Sequence, residues 1–172
     1  MRTTLLLVAA ATVSTFTPAS AQRASQHGLV SQTVNETEIR LEYDRPVARG
    51  RELFGELVEW DAIWTPGANR ATWIEFSEPV TVNGHKVPKG RYAIWMVPQE
   101  NGPWEVIFVS EWDTHHGMFP FDSEVLRIEV ASEQGAHMEA LAFYFPVVGP
   151  YEGTLRMHWG RTIVPLRIGV RQ

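Results

Sequence analysis

The chain has 172 residues, no cysteine, seven tryptophans and a net charge of −5 from 15 basic and 20 acidic side chains. Lack of cysteine excludes disulfides, thiolate metal ligands and a lipidated amino-terminal cysteine, so folding must rest on an apolar core. The acid excess argues against nucleic acid as a partner, because a phosphate-binding face needs clustered positive charge.

Residues 1–21 read as a secretory signal: Met1-Arg2 is a short positive start, 5–13 an apolar run, and Ala19-Ser20-Ala21 an Ala-x-Ala-like cleavage site. The run is shorter than the roughly 20 residues that span a bilayer. Charged residues and prolines interrupt every later candidate, so no membrane anchor is expected. The reading is an exported protein, periplasmic or extracellular. Cleavage removes Arg2 alone among charged residues, leaving 14 basic against 20 acidic, or −6. Residues 22–28 are expected to form a flexible amino terminus and 29–172 a single β domain, a length that suits one core.

Within 29–44, Ile39, Leu41 and Tyr43 alternate with Arg40, Glu42 and Asp44, the period of a half-buried strand. Asn35-Glu36 is the expected hairpin turn, and Pro46 ends the strand. The stretch from Tyr43 to Asn69 is then long for a connection. Connections of more than roughly 12–15 residues tend to be functional, disordered or internally structured. Phe54, Leu57, Trp60 and Trp64 supply apolar surface that disordered tracts lack. This predicts an ordered loop with a turn or two of helix over 52–58.

Alternation resumes over 72–77. Asn83-Gly84 then marks a two-residue hairpin between 80–82 and 85–87, because that pair supplies the positive φ angles the turn needs. Residues 91–97 are apolar on both faces and read as a central strand, followed by a strand at 104–109. A second long loop, 111–122, carries Trp112, Asp113, His115 and His116. Further strands are predicted at 125–130, 138–145, 154–159 and 163–168. Residues 133–135 read as a polar connection, 146–153 as a third loop and Gly160-Arg161 as a turn. Pro165 puts the last strand at a sheet edge.

About ten short strands and no amphipathic helix of globular length make the chain all-β. An antiparallel, jelly-roll-like β-sandwich is favoured, since it lets the two long loops lie together at one end, and a closed β-barrel is the alternative.

The spaced series Tyr43-x-Arg45-Pro46, Arg49-Gly50-Arg51, Phe54-Gly55, Leu57, Trp64, Gly67-Ala68-Asn69 and Thr72 resembles the bacterial family called domain of unknown function 2911. Gly90-x-Tyr92, Trp104-x-Val106-Ile107-Phe108, Leu126-Arg127 and Leu155-x-Met157-x-Trp159-Gly160 add to the match. The resemblance implies an exported, all-β, single-domain protein and no established activity. Thr65, Arg70, Val109 and His116 depart from the family's usual Arg, Glu, Asn and Trp. A polar site shared by the family and built on those groups would be altered here.

Four sets of residues are candidates for a ligand site. Arg45, Arg49 and Arg51 offer paired donors to a carboxylate or phosphate, against the alternative that they lock the loop to the scaffold through Glu42, Glu52 and Glu56. Trp60, Trp64 and Trp112 lie in loops, where an exposed indole stacks on a sugar, or instead anchors the loop. Asn69 either serves the turn or points its amide at a ligand.

Asp113, His115 and His116 are of types that hold divalent ions, but adjacent histidines on an extended chain point apart. A metal site would then need His85, His158 or Asp122, so no metal and no cofactor is expected. A Gly-x-Ser-x-Gly elbow and a glycine-rich phosphate loop are both missing. The leading reading is a binding module for a small polar ligand or glycan. An extracytoplasmic hydrolase or isomerase using the loop Arg, Asn, Asp and His residues is the second, and a protein-interaction domain the third. The sequence implies no particular subunit number.

Overall fold

The computed structural model describes residues 25–172. The expected signal, its cleavage site and residues 22–24 lie outside the described residues. The first hairpin pairs β1 (Gln26–Val34) with β2 (Thr37–Arg45) across Asn35, which takes the left-handed conformation at φ 51°. β1 starts at Gln26, so 26–28, expected to be flexible, are paired with Tyr43, Asp44 and Arg45. β3 (Trp73–Phe76) follows, then β4 (Val80–Val82) and β5 (His85–Val87), joined by Asn83 and Gly84 at φ 47° and 87°. These are the two positive angles of the predicted hairpin turn.

β6 (Gly90–Val97), β7 (Trp104–Val109) and β8 (Glu124–Val130) form a meander, with a short 3-10 turn, Phe121–Ser123, before β8. Two long strands, β9 (Glu133–Val148) and β10 (Glu152–Gly169), end the fold. All pairings between these strands are antiparallel. One sheet has the order β1-β2-β3-β6-β7-β8 and the other β5-β4-β10-β9. The molecule is therefore a two-sheet sandwich and not a closed barrel.

The core fills the space between the sheets. Ile39, Leu41, Ile74, Phe76, Ile94, Met96, Val106 and Phe108 from one side meet Leu141, Phe143, Leu155, Met157, Trp159 and Leu166 from the other. Strand β6 lies inside the six-stranded sheet, and both its faces are covered as its composition predicts. On its outer side Ala93, Trp95 and Val97 join Ile107 and Val109 in a smaller apolar cluster, over which Trp112 and Phe119 of the second long loop pack.

Several sequence expectations are corrected. No helix forms over 52–58. Val58 N–H donates to Leu53 O at 2.7 Å and Gly55 N–H to Val58 O at 2.8 Å, while Gly55 sits at φ 98°, outside the right-handed helical region. Residues 133–135 are no connection but the start of β9, where Gln134 and Glu133 pair with Thr162 and Ile163. Gly160 does not end a strand. At φ 57° it makes an irregularity inside the 18-residue β10, a bulge that bends the strand without breaking it.

The third loop shrinks to 149–151, closed by Gly149 N–H donating to Glu152 O at 2.7 Å. Strand β10 is interior despite Pro165. Pairing with β9 stops at Ile163 and pairing with β4 starts at Ile168, so the missing N–H falls between partners.

Candidate functional site

The insertion after β2 first crosses to the second sheet. Leu141 N–H donates to Pro46 O at 2.9 Å and Ala48 N–H to Glu139 O at 2.8 Å, which adds a short rung to the free edge of β9. The arginines secure this crossing. Arg45 Nε donates to Leu141 O at 3.1 Å. Arg51 Nε donates to Ala48 O at 2.9 Å and its terminal nitrogen to Val47 O at 2.7 Å.

Arg49 takes φ 54° and donates its backbone N–H to Glu139 Oε1 at 2.7 Å. A hydrogen bond from His137, followed by this N–H, holds the Glu139 carboxyl below its usual range. The locking alternative thus describes Arg45 and Arg51, but through backbone carbonyls and not through Glu42, Glu52 and Glu56.

The insertion then dips into the open end of the sandwich. Trp64 exchanges both backbone hydrogen bonds with Met96, at 2.8 and 2.7 Å. Its indole stacks on Trp159 at 6.1 Å and 14° and meets Phe54 edge-on. Phe54 also packs against Trp60, Trp104 and Trp159. Trp60 lies against Gly55 so closely that a Cβ there would come within 2.6 Å of the indole nitrogen.

These two indoles are half-buried anchors of the insertion. Trp112 sits elsewhere, on the outer face of the six-stranded sheet, where the Arg91 guanidinium lies 4.1 Å from the Trp73 ring and 4.5 Å from the Trp112 ring. Arg91 also bonds Glu75 at 2.9 Å. That clamp holds the second loop down.

Only the far end of the insertion meets the second loop. Thr65 and Thr72, both fully buried, bond Ile94 O, the Thr72 N–H and Pro66 O and so lock residues 65–72 into a compact turn. The two chains then pair. Ala71 N–H donates to Thr114 O at 3.0 Å, His116 N–H to Asn69 O at 3.3 Å, and Arg70 bridges His115. Asn69, at φ 62°, donates its side-chain amide to Asp44 Oδ2 at 3.0 Å. Arg70 pairs with Asp113 at 2.8 Å.

The backbone turns between His115 and Met118, closed by Met118 N–H donating to His115 O at 2.9 Å. The two imidazoles consequently lie 4.3 Å apart rather than pointing away from each other. Gly117 N–H donates to His115 Nδ1 at 3.2 Å, which makes Nδ1 the acceptor and leaves the proton of the neutral ring on Nε2. Burial, and then the neighbouring His115, lower the pKa of His116 below its ordinary value. His116 therefore holds a proton less readily than a free imidazole.

Three further groups complete this corner. Asp44 lies at the end of the polar face of β2. His27 lies opposite it on β1, with its nitrogens 3.7 Å from Glu42 and 3.9 Å from Asp44. Asp44 and Glu42 were legible as the polar side of an alternating strand, but nothing in the sequence marked them as neighbours of Asn69. His27 falls in the segment expected to be flexible.

Of the ten candidate residues, Asn69, Asp113, His115 and His116 come together, and Trp112 lies on the same sheet face. Arg45, Arg49, Arg51, Trp60 and Trp64 belong to the insertion's attachment. Among the described residues, no group of three or more His, Asp or Glu is placed to hold a metal ion. His158, which a metal site would have needed, is 5% exposed and bonded by Tyr144 and Ala136 O.

A groove of about 510 Å³ lies at the other end of the outer face, lined by Glu38, Arg40, Glu75, Phe76, Ser77, Lys89 and Gly90. Arg40 there is taken by Glu42 at 2.5 Å and Glu75 by Arg91. Along β2, position 40 is four residues from Asp44, roughly 13 Å, so this groove adjoins the histidine corner only through the Arg40–Glu42 pair. The corner is built where two long loops pair through their backbones and is the stronger candidate.

No curated protein and no solved structure matches the chain. The model of the family described as protein of unknown function DUF2911 matches residues 25–168, nearly the whole described fold. The chain belongs to that family.

Proposed function

We propose that this protein is an exported binding module whose recognition surface is the corner formed by Asp44, Asn69, His115 and His116, and that its ligand is a small neutral polar solute such as a monosaccharide. The supporting observation is the backbone pairing of 69–71 with 114–116. This pairing sets a carboxylate, a carboxamide and two imidazoles side by side on ordered chain. Arg70 and Asp113 neutralise each other, while the Asp44 carboxylate accepts from Asn69. What remains are mixed donors and acceptors with one carboxylate among them, which suit hydroxyl groups better than an anion. Trp60 and Trp64 are half-buried against the aromatic core and anchor the insertion, so an extended glycan platform is not part of the reading.

Imidazole NMR spectra recorded with glucose, galactose and inositol at millimolar concentration test this. The His115 and His116 signals should move while those of His85 and His137 stay in place. Unmoved His115 and His116 signals with all three solutes would remove the assignment.

The second reading, an extracytoplasmic hydrolase or isomerase, is favoured by one observation: the His116 pKa is lowered beside a hydrogen-bonding array, the direction that suits a general base. Export rests on the charged start, apolar run and small-residue site of 1–21. Amino-terminal sequencing of the protein from its native host should begin at Gln22. A chain beginning at Met1 would contradict export by this signal.

A further inference from the structure

Strand β1 is nine residues long and lies at the edge of the six-stranded sheet, paired without interruption to β2. The two-residue turn at Asn35-Glu36 fixes which of its backbone groups face outward. In such a hairpin Val34 and Thr37 exchange hydrogen bonds, so the even-numbered residues 28, 30 and 32 also bond β2 and the odd-numbered ones do not.

Two contacts agree with this phase. Glu38, opposite Thr33, exchanges its backbone bonds with Ser77 on the far side of β2. The Thr33 carbonyl accepts the Gln32 side-chain amide at 2.8 Å. The N–H and C=O groups of His27, Leu29, Ser31 and Thr33 therefore point off the sheet. Among the described residues, none of them has another backbone partner.

Edge strands are normally protected by charge, proline, bulges or shortness. The other edges have such devices. β8 carries Glu124, Arg127 and Glu129, and β5 has three residues with Lys86 in the middle. β9 carries Glu133, Glu139 and Pro146 and is covered by residues 46–48. β1 reads Gln-His-Gly-Leu-Val-Ser-Gln-Thr-Val, with no proline, no bulge and no Asp, Glu, Lys or Arg.

We infer that β1 is a dimerisation edge, pairing antiparallel with β1 of a second copy of this chain about a twofold axis at Val30. That register sets Leu29 opposite Ser31 and His27 opposite Thr33. All four outward-facing residues are then used, and no like charges are opposed. A second copy suits the edge better than a loose peptide because apolar side chains adjoin it. Leu29 is 50% exposed on the strand itself. At its Val34 end lie Gly153, against the Val34 side chain, and the exposed Val147, Val148 and Tyr151 of the β9–β10 hairpin.

Concentration-dependent sedimentation and amide exchange on the full secreted chain decide the matter. The native chain should sediment as a dimer at micromolar concentration. The amides of Leu29, Ser31 and Thr33 should be protected there and become exposed on dilution, while Val30 and Gln32 stay protected throughout. Ser31→Pro removes an outward N–H that β2 does not use, and Leu29→Lys places a charge opposite its own copy's neighbourhood. Each should weaken dimerisation at least about tenfold, or 1.4 kcal/mol, with the near-ultraviolet dichroism of the folded protein retained.

A monomer at all concentrations would overturn the inference, and so would a dimer indifferent to both substitutions. Protection of the odd-numbered amides that does not change on dilution would also overturn it, since another part of the same chain would then cover the edge. A monomer that captures an extended peptide on β1 would replace the second copy with a different partner and count against it.

Discussion

Arg51 ends on the carbonyls of Ala48 and Val47, and its planar fork suits two acceptors that a lysine could not reach together. Arg51→Ala should lower stability by about 1 kcal/mol, seen as a lower melting temperature, and Arg51→Lys should recover only part of it. His116 gives a pH signature. Its folded pKa lies below the ordinary 6.5, through burial first and His115 second. The unfolded chain therefore binds the proton more readily. The residue's contribution to stability is complete above the ordinary value, falls as pH drops through it, and levels off below the depressed folded value.

An NMR titration should place the His116 midpoint below that of a free histidine, and His115→Ala should raise it part of the way while burial remains. At this scale the sequence was legible in kind but not in partner. Arg45, Asn69 and His115 all make polar contacts in the fold. Which of them met carbonyls, as Arg45 does, and which met a carboxylate, as Asn69 does, depended on chain segments far apart in sequence.

At the scale of elements, the insertion and the second loop are held by different devices. Trp64 stacks half-buried on Trp159, and Trp64→Ala should cost about 2 kcal/mol through lost apolar burial, measured by denaturant unfolding. The second loop depends on Arg91 between Trp73 and Trp112. Trp112→Ala should speed amide exchange through 112–118 with little effect on the strands. In β10, a Cβ at Gly160 would meet Leu53 Cδ1 at 2.8 Å and require a side chain at φ 57°. Gly160→Ala should therefore destabilise the fold by more than the ~1 kcal/mol expected of a tolerant glycine site.

Alternation and turn chemistry located β2, β3, β6, β7 and the β4–β5 hairpin because each has a periodic face and a local stop. The same rules misjudged β9 and β10. Glycine and polar residues that normally end strands are used there as irregularities inside long ones, and only the partner strand distinguishes the two.

Across the whole molecule, the all-β class was readable from strand count and spacing, the preference for a sandwich over a barrel from the two long loops, and the core from the inward-facing apolar positions. The division of labour within 43–72 was not readable. One continuous segment first seals the open end of the sandwich with its arginines and indoles, and then presents Asn69 to the second loop. Those two roles use similar residue types, and only the folded arrangement separates attachment from presentation.

The most direct measurement compares Arg51→Ala with Asn69→Gly, a change that keeps the left-handed backbone and deletes only the amide. Melting temperature and solute-induced imidazole shifts are recorded for both. The account predicts a lowered melting temperature with native shifts for Arg51→Ala, and a near-native melting temperature with the His115 and His116 shifts lost for Asn69→Gly. Shifts abolished in Arg51→Ala but kept in Asn69→Gly would contradict it.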